Sequence, residues 1–230
     1  MALSDFQTLV TRLVRDGTGQ ISTDDRDGAI AAALAQYSRD VPRRVVEDIT
    51  WAAAGYFQAA PDDLAAGGDL LACEQLPAAV PALMVDMALY LTVNAVQLMS
   101  TMVIGAGTAL RLTYTAAHRL DATHDTVPPA HREAVCSFAA HLLCRQLAAY
   151  FSGEREASIN ADGSNTESRA RNYALRSRDY RGAYFSLLGI VDPQADAGGG
   201  SARGAGSAAS AVVRWGSRNR EWLRTNAPMV

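Results

Sequence analysis

Residues 80–104 read VPALMVDMALYLTVNAVQLMSTMVI, and the fold class turns on whether this apolar run is one helix or several strands. Met84, Met87, Ala88, Leu91, Ala95, Leu98 and Met102 would line one helix face, yet two or three short strands also fit. Asp86, Asn94 and Gln97 interrupt the run, which argues against a segment that crosses a membrane. The flanks favour strand. Arg43–Trp51 and Ala109–Thr115 are rich in β-branched and aromatic residues. In the second, Leu110, Leu112 and Tyr114 alternate with Arg111, Thr113 and Thr115, the period of a half-buried strand. Gly105–Gly107 supplies a turn before it. Residues 43–117 are therefore expected to form a small β-rich insert.

Outward from this segment the period changes to that of helices. Phe6, Leu9, Val10, Leu13 and Val14 make one amphipathic stripe, with Ser4 and Gln7 spaced as a capping box and Gly17 and Gly19 as breakers. Ser22 precedes the acidic turn of Asp24, Asp25 and Asp27, as a helix N-terminus favours. Ile30, Leu34, Tyr37 and Val41 continue that helix and Pro42 ends it. After Val127–Pro128–Pro129, an apolar face runs from Val135 through Phe138, Leu142 and Leu147 to Phe151. Ser164 and Glu167 are spaced as a capping box for a last helix that Gly189 ends. The expected fold is mainly α with a small β-rich insert (α+β): a helical bundle core, a long C-terminal helix and an extended C-terminal arm. Its parts are residues 1–42 and 118–190 for the core, 43–117 for the insert and 191–230 for the arm.

Length and composition bound the function. The chain has 230 residues, 49% of them hydrophobic and 20% charged, with net charge −3, which excludes a collagen-like or wholly disordered chain. Every one of the 21 basic residues is Arg. Residues 1–152 hold 10 Arg against 16 acids and residues 153–230 hold 11 Arg against 8, so an acidic body carries a basic tail. That imbalance is too small for a dedicated nucleic-acid binder.

Catalytic chemistry is not legible. Gly105-x-Gly107 lacks a third glycine and precedes a strand, whereas a phosphate loop needs a helix N-terminus. His131, Cys136, His141 and Cys144 step by angles that carry them to different faces of one helix, so no metal site is expected. Cys73, Cys136 and Cys144 suit a reducing compartment and core packing better than a disulfide scaffold. His118, His124 and His131 lie near turns and a helix start, where surface or capping roles are expected. Asp62 and Asp63 are expected to start a helix or face solvent. The chain is expected to be no enzyme and to need no cofactor.

Two features instead suggest contacts with other chains. Along the last helix, Arg169 and Arg176 form one seven-residue row and Arg171 and Arg178 another. Beyond Pro193, Gly198–Ser210 has the composition of a flexible linker. It tethers an apolar, aromatic and basic segment: Val212, Val213, Trp215, Trp222 and Leu223 interleaved with Arg214, Arg218, Arg220 and Arg224. A segment of that chemistry reads as a docking arm.

Four stretches together resemble the head–tail connector proteins of tailed bacteriophages, also called adaptor or neck proteins. They are Ile21–Arg44 (ISTDDRDGAIAAALAQYSRDVPRR), Leu110–Ala122 (LRLTYTAAHRLDA), Thr126–Phe151 (TVPPAHREAVCSFAAHLLCRQLAAYF) and Ser168–Phe185 (SRARNYALRSRDYRGAYF). The likeness covers roughly residues 1–51 and 108–188, while Ala52–Gly107 departs from the pattern. The resemblance implies a homo-oligomeric ring, commonly of twelve copies, in the neck of a virion and made in the cytoplasm of the host bacterium. The ring would sit beneath the portal protein and extend the channel for genomic double-stranded DNA. It would also present a surface to the next neck component, a stopper or tail terminator. C-terminal segments in the family often dock on the portal, which suits the arm. Arg169, Arg171, Arg176, Arg178 and Arg181 are the candidate inter-subunit or portal ion-pair residues. Other expectations for the same sequence are a stopper or tail-completion protein, or a helical regulator that binds nucleic acid through its basic tail.

Overall fold

The computed structural model describes residues 2–17, 19–77, 83–153 and 163–194, with side chains in the last run from residue 169. The chain divides into two units, Met1–Ile190 and Val191–Val230. The linker and the proposed docking arm lie outside the described residues.

Helix α1 spans Leu3–Val14 and α2 spans Thr23–Asp40. The start of α1 is set by Asp5, whose carboxylate accepts from the Ala2 N–H, and not by the Ser4/Gln7 pair. Its end comes at Arg15, which takes the left-handed conformation (φ 48°) ahead of the expected glycines. On α2, the Ser22 hydroxyl accepts from the Asp25 N–H while the Asp25 carboxylate accepts from the Ser22 N–H. After a short 3-10 turn at Pro129–His131 come α4, Arg132–Gly153, and α5, Gly163–Leu188. These helices share one apolar cluster that includes Phe6, Ile30, Tyr37, Leu143, Leu147 and Tyr184.

Among the described residues of 43–116 there are six strands: β1 Arg43–Thr50, β2 Gly55–Ala59, β3 Leu70–Gln75, β4 Met87–Leu91, β5 Val96–Ile104 and β6 Ala109–Ala116. A single turn of helix, α3 at Asp62–Ala65, lies between β2 and β3. The strands form two three-stranded antiparallel sheets, in the orders β1-β6-β3 and β2-β5-β4. The ambiguous run thus ends as a hairpin. Thr92 and Ala95 close it, the Thr92 N–H donating to the Ala95 carbonyl at 2.8 Å.

The expected fold class is overturned here. A bundle with a small insert would have one core, whereas the strands bury a second apolar cluster of their own around Trp51, Leu64, Leu98, Leu110, Leu112 and Tyr114. The reason lies in β6. It alternates buried and half-buried residues along its whole length, so as the central strand it offers one complete apolar face and both edges to partners. The result is an α+β architecture in which two sheets with their own core stand beside the helices.

The close turn before β3 needs a glycine. A Cβ on Gly68 would lie 2.0 Å from the Thr115 carbonyl oxygen, because Asp69 exchanges hydrogen bonds with Thr115 directly beside it.

Candidate functional site

The helices hold themselves together through polar contacts that close over long stretches of chain, and these decide which cations stay free. On α5, Arg176 turns inward. Its guanidinium donates to the Leu13 and Val14 carbonyls at 2.7 and 2.8 Å, and the Tyr180 hydroxyl donates to the Leu13 carbonyl at 2.7 Å. A cation on the orphan carbonyls of α1 also matches the negative end of that helix. The guanidinium carbon lies 5.6 Å from the Tyr173 ring centre and 6.0 Å from that of Tyr180. Arg181 packs over Phe185 at 5.2 Å.

The other three candidates face outward. Arg169, Arg171 and Arg178 are exposed, and they take no part in the ion pairs found among the described residues. The two sequence rows are therefore split by the fold: Arg171 and Arg178 stay together on an exposed face with Leu175, while Arg169 is separated in role from the inward Arg176. Arg176 is a residue of the chain's own framework.

A second cluster joins the C-terminal end of α2 to the start of α4. The Tyr37 hydroxyl and His131 Nδ1 are 2.6 Å apart, and the His118 ring packs on Tyr37 at 4.7 Å between centres. His118 is only 8% exposed, which corrects the surface role expected for it. Its Nε2 lies 3.0 Å from the Val41 carbonyl and its Nδ1 lies 3.0 Å from the Thr126 carbonyl and 3.2 Å from the Thr126 hydroxyl. The Thr126 hydroxyl donates to the Arg119 carbonyl, and both ring nitrogens face backbone carbonyls, so a neutral His118 ring can donate to only one of the two. Burial holds its pKa below the ordinary value, and the nearby Arg43 and His131 add to that. Asp63, expected at a helix start or in solvent, starts α3 and its carboxylate is bonded by both Arg43 (2.7 Å) and Arg119. Arg44, next to Arg43 in the sequence, is exposed.

Between α4 and α5 a further buried histidine is locked. His141 Nδ1 donates to the Ser177 carbonyl at 2.8 Å and the Ser177 hydroxyl donates to the His141 carbonyl at 3.1 Å. The spacing of His131, Cys136, His141 and Cys144 is accounted for by these contacts and by packing. Among the described residues no group of three or more metal-ligating side chains converges. All three thiols are buried, and burial pushes Cys136 up to about 12 and Cys73 and Cys144 up to about 11, which leaves them poor nucleophiles.

An open groove of about 730 Å³ runs between α2 and the end of β6, lined by Leu34, Ser38, Arg39, Asp69, Thr115 and His118 among others. Ser38 and His118 are already engaged there, the Ser38 hydroxyl accepting from the His118 N–H at 2.9 Å. The groove offers no cluster of activated groups.

No protein-family model matches the chain, and no curated protein matches it. Among the chains of solved structures that match it are two of low similarity. One is a chain from the neck of an empty gene transfer agent particle, with 15% identity and a TM-score of 0.29, covering 73% of this chain and 87% of that one. The other is a chain from the virion of the native gene transfer agent particle, with 16% identity and a TM-score of 0.29, covering 75% and 88%. At that TM-score the likeness decides neither fold nor function.

Proposed function

We propose that this chain is a structural protein of a virion neck, a head–tail connector that assembles as a ring beneath the portal and lengthens the DNA channel toward the tail. The observation that carries the reading is the sequence resemblance itself: four stretches in the connector order and at connector spacing, between Ile21 and Phe185. Three of the four become α2, α4 and α5, which pack on one apolar cluster. The stretch Leu110–Ala122 becomes β6 and the connection that His118 ties to α2.

Electrostatics supports a passive conduit. Residues 1–152 carry six more acids than Arg, and a lumen without a strongly basic lining would not hold duplex DNA by phosphate contacts. A closed ring needs two different faces on each copy. The exposed side of α5 with Arg169, Arg171 and Arg178 is proposed as one of them, meeting a neighbouring copy or the portal. Residues 211–230 are proposed as the portal-docking arm, whose weak contacts would be multiplied around the ring, twelvefold in the family's usual stoichiometry. The next partner, on the tail side, would be a stopper or tail terminator. The reading includes neither catalysis nor a cofactor, and DNA contact would be non-specific.

The test is to mix the full-length protein with the portal of the same particle and image the product by negative stain, with mass photometry for copy number. Rings capping the portal are expected, even if the isolated chain stays monomeric. Failure to bind the portal overturns the reading, and binding only to a pre-formed neck or tail would reassign the chain as a stopper or tail-completion protein.

A further inference from the structure

The helices and the strands are two bodies with separate cores, and the chain joins them twice. The apolar cluster around Tyr37 and Leu143 shares no residue with the one around Trp51 and Leu112. The chain leaves α2 for β1 through Val41–Pro42 and returns from β6 through Ala117–His118. Among the described residues, no broad packing of α1, α2, α4 or α5 on a strand fixes the angle between the bodies. What separates them is the open groove of about 730 Å³. Ala31, Ala35 and Arg39 of α2 line one wall, and Gly67, Gly68 and Asp69 line the other. Small residues leave both walls room to approach, and Arg39 and Asp69 are exposed with opposite charges.

The other face of β6 carries a bond between the bodies. Successive residues of a strand point to opposite faces: Tyr114 is buried in the sheet core, while Thr115 lines the groove. Arg43 pairs with Ala116 and Val45 with Tyr114, so Arg43 leaves the sheet on its core face, where it bonds Asp63 at 2.7 Å. Arg119 reaches the same carboxylate from the returning connection. Leu120, its neighbour, packs on the helical cluster, so the Arg119–Asp63 pair ties the helices to the strands.

We infer that the strand body swings on the helices about these two connections, and that the Arg119–Asp63 pair is a latch that holds the groove open. His118 is the pivot. Its N–H donates to the Ser38 hydroxyl at 2.9 Å, its ring packs on Tyr37, and its Nε2 lies 3.0 Å from the Val41 carbonyl. The returning connection is thereby fastened beside the departing one, which is where a hinge bends. Groove and latch lie on opposite faces of β6, so a rotation that narrows the groove parts Arg119 from Asp63. Arg39 then meets Asp69, and one exposed ion pair replaces another, which keeps the two positions close in free energy. Asp63 keeps Arg43 in both positions because both ride on the strand body, so release leaves neither of them unpaired. The motion needs neither ring nor portal and goes beyond the connector reading without resting on it.

Spin labels on Ala32→Cys and Leu71→Cys read the angle. Both positions are exposed, one on α2 and one on β3, and the three native thiols are buried. Double electron–electron resonance on the full-length chain is expected to show a main distance and a shorter minor one. Arg119→Gln opens the latch from its exposed side and should raise the short-distance fraction about threefold, the shift that loss of a half-exposed ion pair gives a two-state balance. Adding Asp69→Arg sets like charges across the groove from Arg39 and should return that fraction to the parental level or below. Circular dichroism shows whether each variant is folded, and Asp63→Asn releases the latch from the strand side should Arg119→Gln unfold. A distance distribution that the folded latch variants leave unchanged, or move to longer values, overturns the inference. So does a short-distance population that Asp69→Arg does not reduce. Portal binding, measured apart, tests the connector reading alone.

Discussion

The Tyr184 hydroxyl donates to the Asp40 carboxylate across 2.5 Å, tying α5 to the last residue of α2 over 144 positions of sequence. Tyr184 is fully buried, and burial together with Asp40 pushes its hydroxyl well above the usual tyrosine range. The bond is therefore a neutral donor on an ionised acceptor in a site that water does not reach from the tyrosine side. Tyr184→Phe should cost about 2 kcal/mol of folding free energy, the typical worth of a hydrogen bond to a charged group. Urea denaturation followed by circular dichroism measures it, and an unchanged midpoint would mean that the bond contributes nothing net.

Arg176 and the outward arginines should separate in a stability assay. Arg176→Ala strips two charge-assisted bonds from the end of α1 and should cost about 2–3 kcal/mol, with Arg176→Lys intermediate because a single ammonium cannot reproduce the guanidinium fork. Arg171→Glu and Arg178→Glu should stay within about 0.5 kcal/mol of the parent, as exposed substitutions usually do. If α5 provides a ring or portal face, those two reversals should nevertheless weaken assembly, which sedimentation with the portal would show.

Gly68→Ala should be among the most damaging small changes in the chain. The added methyl meets the Thr115 carbonyl, part of the backbone of a central strand that cannot step aside. A loss of about 3 kcal/mol or more is expected. Gly67→Ala, where φ is +108° but nothing lies within 4 Å, should cost only the backbone strain, about 1–2 kcal/mol. Thermal melts of the two variants give the comparison, and equal losses would contradict the steric account.

Mild acid should weaken the fold through His118. Its pKa in the folded chain lies below the ordinary 6.5, so the unfolded chain binds the proton more readily. The contribution is complete above pH 6.5 and is lost as pH falls through the folded value. Burial is the leading cause, and Arg43 and His131 act in the same direction. His118→Gln should be less stable at pH 7.5 but should show a flatter decline between pH 6.5 and 5. A parallel decline in both proteins would place the titrating group elsewhere.

The thiols offer a simple check of the core. Cys73, Cys136 and Cys144 are buried with raised pKa values, so a maleimide at pH 7 should label none of them in the native protein and all three in denaturant. Rapid native labelling of Cys73 would show that the sheet core opens.

Local pattern was a sound guide wherever one element met one face. The Ser22 cap and the buried set Ile30 and Tyr37 on α2 follow from spacing alone, as does the alternation of Leu110, Leu112 and Tyr114 on β6. Reading failed for groups whose partners are remote. Asp63 resembles any acidic residue at a helix start until Arg119 arrives from 56 positions away, and His118 resembles a turn histidine until Val41 supplies its acceptor from 77 positions away. The capping pair Ser4/Gln7 failed for a different reason: Asp5 competes for the same helix start and its carboxylate is the stronger acceptor.

The amino-acid order alone placed the helices and the strands β1 and β6, because period and caps act within a few residues, but it left residues 80–104 open between helix and strand and did not bound β2 or β3. It also settled the absence of charge from β2, β4 and β5. Only the tertiary structure decided that six strands split into two sheets with β6 between β1 and β3, and that this half carries its own core. Likewise, only packing turned Arg176 inward while leaving Arg171 and Arg178 in solvent. Both outcomes depend on which distant groups meet, and such meetings are chosen by the joint burial of whole faces, a property that no short window of sequence contains.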